Sequence, residues 1–311
     1  MGVWIDTDMG FDDIAAIMVV DAAAANRPEL AIDGMSLVVG NAPMARVERN
    51  AAGAAAAFGW QFPIHRGRAL PVMGRLETAT SILSDHGMPT AGRRLPDVAV
   101  TAMGDAFEAL CLWLEGEGPR RILALGPLTN IAAVALARPD LAARITDLTW
   151  MGGSVTAGNH TASAEFNAFA DPEAVAIVLA HGIPLRMIDL DLCRQVLASP
   201  SDVAPVREAG GANAALIADL LDGFIAIATS RGRAAMALYD AVAAVAFVED
   251  SLVEWRPARI DVELAGALTR GRTVVETRSG KGEFNAVFGA GIESDRARSI
   301  ILETLRLEGN R

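Results

Sequence analysis

The sequence lacks an excess of positive charge and lacks long apolar runs. Its 311 residues carry 27 Lys and Arg against 38 Asp and Glu, a formal net charge of −11. Nucleic-acid binding requires clustered basic side chains, so this charge argues against nucleic acid as the main partner. No 18 apolar residues follow one another, and no basic stretch precedes an apolar one near the first residue. We therefore expect no membrane span and no export signal.

Cysteine is also scarce, with only Cys111 and Cys193 present. Their segments have the patterns of a helix and of a region following a strand, and nothing in their spacing requires a disulfide. We expect both to be small buried side chains in a cytoplasmic protein.

The chain has instead a high apolar content, at 52% hydrophobic and 21% charged residues. That composition supports a large core and excludes extensive disorder. No linker rich in Pro or Ser and no block of charge divides the sequence, so we expect a single domain over residues 1–311.

Short apolar runs alternate with longer helical patterns. Five runs have the character of buried strands, at residues 3–5, 36–39, 122–125, 148–151 and 185–188. Five segments are rich in Ala or have helical spacing, at residues 13–25, 43–58, 101–115, 128–137 and 172–181. This alternation predicts an α/β fold with a mostly parallel open sheet and helices on both faces.

The remaining segments have less regular patterns. Residues 66–96 predict a long loop, which in a compact domain is more often functional than idle. After residue 196 we expect a long helical stretch through 228, a helix at 240–248 and strands at 260–264 and 272–276.

An acidic cluster follows the first predicted strand, where Asp6, Asp8, Asp12 and Asp13 surround Gly10. Carboxylates this close repel one another and raise one another's pKa unless a cation or hydrogen-bond donors compensate them. Capping of the next helix would explain Asp12 or Asp13 but not the whole cluster. The spacing does not fit an EF-hand, and an open divalent-metal site is the remaining interpretation.

An amide and two glycine turns follow other predicted strands. Asn41 follows the second strand, Gly126 the third and Gly152 the fourth. They are therefore expected at the carboxyl ends of the strands, where open α/β sheets bind ligands. The block from residue 158 to 167 supplies donors and acceptors suited to a ligand rich in hydroxyls. Asp240, at the start of a helical pattern, would by itself be interpreted as a helix cap.

Taken together, these motifs resemble the nucleoside hydrolase family of the inosine-uridine preferring type. The resemblance covers residues 3–246 in family order, and it rests on Asp6-Thr7-Asp8-Met9-Gly10-Phe11-Asp12-Asp13, Val38-Val39-Gly40-Asn41, Gly126-Pro127-Leu128-Thr129-Asn130, Met151-Gly152-Gly153, Gly158-Asn159, Glu165-Phe166-Asn167, Asp171-Pro172-Glu173 and Asp240.

The resemblance implies a single Ca²⁺ as cofactor, an ion that oxygen ligands suit. The implied protein ligands are Asp8, Asp13, the backbone carbonyl of Leu125 and Asp240, with Asp6 in support. The implied substrate-binding residues are Asp12, Asn41, Asn159, Glu165 and Asn167, with His86 as a further residue of the pocket lining.

The resemblance also implies hydrolysis of the N-glycosidic bond of a ribonucleoside by a homodimer or homotetramer. Asp8 would be the general base toward the attacking water. Tyr239, the only tyrosine, stands where many members have a His that protonates the departing base. It is therefore a candidate catalytic residue that stacks on the base or donates its hydroxyl proton. An aromatic residue there favours purine nucleosides. The segment around Phe224 and Ile227 corresponds to one that closes over the base, and ordinary core packing is the alternative explanation of its apolar face.

Two other functions remain open at this point. A nucleoside-binding or inactive family member would explain the loss of the histidine at position 239. A phosphatase of the haloacid dehalogenase type also begins with a strand and Asp-x-Asp, although Gly10 stands where that class has Thr or Val. For Asp189 and Asp191, after the fifth predicted strand, we expect structural hydrogen bonds.

Overall fold

A computed structural model of the chain describes residues 2–310, and a large sheet forms its centre. The strands are β1 (Val3–Thr7), β2 (Ile32–Leu37), β3 (Ile64–Arg66), β4 (Gly104–Asp105), β5 (Arg121–Ala124), β6 (Asp147–Met151), β7 (Leu185–Ile188), β8 (Leu197–Ala198), β9 (Met236–Ala237), β10 (Val253–Val262), β11 (Thr273–Glu276) and β12 (Ala286–Ile292). The α-helices are α1 (Phe11–Ala24), α2 (Met44–Phe58), α3 (Thr80–Leu83), α4 (Ala106–Glu115), α5 (Thr129–Ala137), α6 (Pro139–Ala142), α7 (Phe166–Ala170), α8 (Pro172–Ala180), α9 (Leu190–Cys193), α10 (Val203–Arg207), α11 (Ala214–Thr229), α12 (Tyr239–Val248) and α13 (Ser294–Asn310).

Ten strands pair in the order β11-β10-β12-β7-β6-β5-β1-β2-β3-β4 within the described residues. From β12 to β4 every neighbouring pair is parallel, whereas β10 is antiparallel to both β11 and β12. The mostly parallel open sheet predicted from the strand and helix alternation is confirmed.

Strand β1 shows why the sheet carries helices on both faces. Its five residues are all buried, and successive side chains point to opposite sides of a strand. Val3 and Ile5 belong to a core that contains residues of α1, α11, α12 and α13, while Trp4 belongs to a second core with residues of α4, α5 and α8. A strand buried on both faces reads as a continuous apolar run, which is why 3–5 was recognisable in the sequence.

The order of the strands reverses at β1. This strand pairs with β2 on one side, where Asp6 lies opposite Ser36, and with β5 on the other, where Asp6 lies opposite Ala124. Loops after neighbouring strands diverge at such a switch point and leave a crevice outside the carboxyl ends. The acidic cluster of the first turn therefore stands at the edge of this crevice.

Several predicted bounds shift, and some elements were missed. The helix expected at 101–115 begins at Ala106, where the Asp105 side chain caps it by accepting from the Glu108 N–H at 3.0 Å. The long helical stretch expected after 196 is divided into β8, a 3-10 turn at Pro200–Asp202, α10 and α11. Gly210, with φ of +85°, lies between the last two helices. Strand β12 and helix α13 were not predicted.

Both cysteines are buried and free of disulfide bonds, as expected. Among residues 2–310, no helix combines the length and apolar character needed to cross a bilayer.

Candidate active site

The turn between β1 and α1 is built around the side chain of Asp13. One of its oxygens accepts from the Thr7 hydroxyl at 2.5 Å and the Asp8 N–H at 3.2 Å, and the other accepts from the Gly10 N–H at 2.7 Å. Met9, between them, is fully buried with φ of +57°, a conformation that non-glycine residues rarely adopt. Such local strain is commonly held in place at functional sites.

Helix α12 brings a further carboxylate to this turn. The helix packs against α1, and Asp240 is its second residue, so it does not cap the helix as its position alone suggested. Carboxylate oxygens of Asp12, Asp13 and Asp240 lie within 4.8 Å of one another. Packing of α1 and α12 on the same face of the sheet thus brings together carboxylates that are more than 200 residues apart in the sequence.

Burial raises the pKa of every member of this cluster. The pKa of Asp12 rises to about 8, through burial first and then the charge of Asp13. The pKa values of Asp8 and Asp240 rise well above the ordinary range for the same first cause, with neighbouring aspartates adding to it. Within residues 2–310, none of these carboxylates forms an ion pair with a basic side chain. Buried oxygen donors lacking a counter-charge fit a divalent cation.

Asp8 lies beside this group and is held by Asn41. The Asn41 backbone N–H donates to Oδ2 of Asp8 and the Asn41 side-chain Nδ2 donates to Oδ1, both at 2.7 Å. The same Nδ2 lies 3.3 Å from Asp13 Oδ2. The Asn41 side chain, which was predicted to bind ribose, therefore donates its hydrogen bonds to the carboxylates of the site.

Asp6 lies behind the cluster and outside the cavity. It is fully buried, its Oδ1 accepts from the Ser36 hydroxyl and from Asn130 Nδ2, the latter at 2.7 Å, and its Oδ2 has no partner among the described residues. Burial raises its pKa to about 7. Its backbone carbonyl accepts from the Leu125 N–H at 2.7 Å, which fixes the start of the next loop.

The Leu125 carbonyl is positioned by Asn167, whose Nδ2 donates to it at 2.9 Å and to the Met151 carbonyl at 3.0 Å. Glu165 caps α7 and accepts from the backbone N–H groups of Gly153, Asn167 and Ala168 at 2.7 to 2.9 Å. Burial raises the pKa of Glu165 to about 7. These two side chains tie the loops after β5 and β6 together.

A cavity of about 240 Å³ opens over these groups. One set of lining residues carries carboxylates and amides: Asp8, Asp12, Asn41, Asn159, Glu165, Asn167 and Asp240. A second set is apolar or aromatic: Ile82, Leu83, Met151, Phe166, Phe224, Ile227, Met236 and Tyr239. A cavity with both kinds of wall suits a ligand with a polar part and a flat apolar part.

Tyr239 lines the cavity directly beside Asp240. Burial raises the pKa of its hydroxyl to about 12, with a smaller contribution from Cys193. The phenol is therefore protonated at neutral pH and can donate a hydrogen bond. The Tyr239 backbone carbonyl accepts from Cys193 Sγ at 3.5 Å, so this cysteine has a packing role beneath the site.

The structure does not bring His86 into the cavity wall. Its backbone carbonyl accepts from Asn50 Nδ2 at 3.0 Å, and its ring is not part of the lining. A His-Gly pair in a long loop gave no information on where the ring would point. Asp189 caps α9, and Asp191 accepts from the Val155 and Thr156 N–H groups, in line with the structural roles expected for them.

Sequence reasoning overlooked His160 and Arg194, which both line the cavity. His160 directly follows Asn159 in a block that was noticed for its amides, so the signal was present. Arg194 donates to the Ala157 and Gly158 carbonyls at 3.2 Å and thereby holds the loop that carries Asn159. Nothing in its local sequence indicated that role.

Comparison with known proteins gives one family. The family described as inosine-uridine preferring nucleoside hydrolase matches residues 3–299, which excludes the phosphatase alternative. The chain is 30% identical over 311 residues to the inosine-uridine preferring nucleoside hydrolase of Crithidia fasciculata, with 98% of each chain covered. It is 28% identical to the pyrimidine-specific ribonucleoside hydrolase RihB of Escherichia coli O157:H7, covering 97% of this chain and 96% of the relative.

Among solved structures, the purine-preferring ribonucleoside hydrolase from Gardnerella vaginalis superposes with a TM-score of 0.89 at 25% identity, covering 100% of this chain and 99% of the other. The family match and the superposed fold thus agree. The chain belongs to the inosine-uridine preferring nucleoside hydrolase family, and it is an enzyme of the ribonucleoside hydrolase class.

Proposed function

We propose that this enzyme hydrolyses the N-glycosidic bond of purine ribonucleosides, giving free base and ribose, with Ca²⁺ as its cofactor. The observation that carries this proposal is one cavity in which the buried carboxylates of Asp8 and Asp240 and the half-buried carboxylate of Asp12 meet the aromatic side chains of Phe166 and Tyr239. The acidic part suits a metal and a sugar, and the aromatic part suits a base.

The proposed calcium ligands are Asp8, Asp13, the Leu125 carbonyl and Asp240, because a hard and flexible cation takes several oxygen donors. When bound, the ion supplies positive charge that polarises the attacking water. Asp12 is proposed as a ribose contact, since it lines the cavity whereas Asp13 lies beneath it. A carboxylate oxygen of Asp12 also lies within 4.8 Å of those of Asp13 and Asp240, so an Asp12 variant distinguishes a ribose contact from a metal ligand.

Asp8 is the proposed general base. Asn41 fixes both of its oxygens, so one direction of the carboxylate is presented to the cavity and the attacking water meets a carboxylate that need not reorient. As the bond from C1′ to the base nitrogen lengthens, positive charge develops on the ribose. The acidic groups of the cavity stabilise that charge electrostatically.

The ribose hydroxyls are proposed to contact Asp12, Asn41, Asn159, Glu165 and Asn167. In Asn167 the amide nitrogen donates to two carbonyls, so its oxygen is the atom left to accept a hydrogen bond from ribose. Asn41 and Glu165 are proposed to have a second role as well, because Asn41 also holds Asp8 and Glu165 also holds the backbone of α7.

A purine preference is proposed from the apolar wall of the cavity. Tyr239 and Phe224 contribute aromatic side chains to this wall, and Ile227 contributes an aliphatic one. A larger base buries more of this apolar wall and stacks over a wider area. The purine-preferring enzyme from Gardnerella vaginalis supports this proposal, whereas the pyrimidine-specific relative shows that the fold accommodates other bases. A homodimer or homotetramer in the cytoplasm is proposed from the family resemblance.

The test is release of reducing sugar from inosine, guanosine, adenosine, uridine and cytidine, with calcium and with a chelator. We expect ribose release from the purine nucleosides, abolished by the chelator and restored by added calcium. Equal rates on all five would contradict the base preference. Full activity in the chelator would contradict the cofactor, and binding without release would point to a nucleoside-binding member.

A further inference from the structure

His160 is placed in the cavity wall by an aromatic cluster. Its ring centroid lies 4.4 Å from that of Phe169 and 5.4 Å from that of Phe166, which itself lines the cavity. The His160 backbone N–H donates to the Ala164 carbonyl at 3.2 Å, which fixes the turn that carries the ring. Neither ring nitrogen of His160 has a hydrogen-bond partner among the described residues. The ring is therefore held in position but free to contact a ligand.

The proposed reaction requires a proton on the departing base. A purine or pyrimidine leaves poorly as an anion, so a positioned acid is needed where the base lies. A tyrosine hydroxyl such as that of Tyr239 has an ordinary pKa of about 10, whereas a histidine imidazolium has an ordinary pKa of about 6.5. The imidazolium is therefore much closer to neutral pH and better matched to donating a proton to the base.

We propose that His160 donates the proton to the departing base. This inference rests on the proposed nucleoside hydrolysis. The bond between C1′ and the base nitrogen breaks, and its electron pair leaves with the base, which takes a proton from the His160 imidazolium. Water adds its oxygen to C1′ and passes a proton to Asp8. Proton exchange with solvent then returns a proton to His160 and removes one from Asp8. The overall reaction converts nucleoside and water into ribose and free base.

Two observations support His160 over the other histidines. It is the only histidine in the cavity lining of the described chain, whereas His65 stacks on Trp4 at 5.7 Å and His181 is exposed. Burial lowers the pKa of the His160 imidazole, opposed by the charge of Glu77. Its protonated form is therefore a stronger acid than an exposed histidine and far stronger than the Tyr239 phenol.

The experiment compares leaving groups that do and do not need an acid. Inosine needs protonation of the base, whereas 4-nitrophenyl β-D-ribofuranoside releases a phenolate that is stable without it. For His160→Asn we expect kcat on inosine to fall roughly a hundredfold or more, while kcat on the nitrophenyl riboside changes less than about threefold. The matched control is His181→Asn, which should leave both rates unchanged.

The nitrophenyl substrate also reports whether the variant is folded and holds ribose and calcium. Equal losses on both substrates would overturn the proposal, because they would assign His160 a structural or ribose-binding role. Unchanged rates on both would equally overturn it. The failure of the underlying function is distinct: the wild-type enzyme would then release ribose from neither substrate.

Discussion

Both oxygens of the Asp8 carboxylate are held by the same residue, Asn41, through its backbone N–H and its side-chain amide at 2.7 Å each. Residues 8 and 41 follow the neighbouring parallel strands β1 and β2, which places them side by side at one edge of the sheet. A carboxylate fixed at both oxygens has one orientation toward the cavity. Its direction is thus set before substrate arrives.

Removing the Asn41 side chain should release one of these two contacts. For Asn41→Ala we expect kcat to fall on the order of a hundredfold, because a carboxylate that can rotate is misaligned with the attacking water. Asn41→Asp should lower kcat further, since it replaces a hydrogen-bond donor to Asp8 with a fifth acid beside the four aspartates. Steady-state kinetics with saturating calcium measures both. Equal activity of the Ala variant and wild type would contradict the orienting role.

Asp8→Asn tests the general base. We expect turnover to fall about a hundredfold to ten-thousandfold, while the dissociation constant for a nonhydrolysed ribonucleoside analogue changes far less. The amide keeps the shape of the side chain but cannot accept a proton. The surface substitution Asp97→Asn is the control and should have no effect. Turnover near that of wild type in Asp8→Asn would show that another group is the base.

Asp240→Asn and Asp12→Asn separate the metal ligand from the ribose contact. Titration calorimetry with calcium should show affinity reduced roughly tenfold or more in Asp240→Asn, with little change in Asp12→Asn. The Asp12 variant should instead have a higher KM for ribonucleosides. Similar losses of calcium affinity in the two variants would place Asp12 among the ligands. Its carboxylate is close enough for that role, because carboxylate oxygens of Asp12, Asp13 and Asp240 lie within 4.8 Å of one another.

Glu165 should make stability depend on pH in a defined direction. Burial raises its pKa from 4.5 to about 7 in the folded protein, so the folded state keeps a proton that the unfolded chain has released. Stability therefore falls as pH rises from 4.5 to 7, by at most about 1.4 kcal/mol per pH unit, and then levels off.

Denaturant unfolding at several pH values checks this dependence. Glu165→Gln lacks the titrating group, so its stability should fall less steeply over the same range. Glu117→Gln, on the exposed surface, should keep the wild-type slope. Curves for Glu165→Gln and wild type that run parallel from pH 4.5 to 7 would contradict the raised pKa.

Tyr239 should act through its ring. Tyr239→Phe is expected to keep turnover of inosine within about threefold, because stacking is preserved and the proton comes from His160. Tyr239→Ala should raise KM for purine nucleosides by up to roughly tenfold, since one aromatic contact is lost. A loss of turnover in Tyr239→Phe as large as that in His160→Asn would make the hydroxyl a participant in the chemistry.

Much of the fold was readable because parallel strands buried on both faces are continuous apolar runs. Strand β12 was missed because Gly289 and Gly291 interrupt its pattern, and it pairs with β7 about 100 residues earlier in the chain. Helix α13 was missed because its buried positions are few among charged residues. Contacts distant in sequence, rather than local propensity, decide both elements.

The sequence by itself determined the family, the sheet class and the acidic residues of the first turn, because these depend on local patterns and on motif order. Only the tertiary structure decided how those residues are used. Packing of α12 on α1 brings Asp240 to Asp12 and Asp13, and the pairing of β1 with β2 gives Asn41 to Asp8. Tertiary packing also left His86 out of the cavity lining and placed His160 in it. The direction of a side chain depends on the elements packed around it, and these lie far away in the sequence.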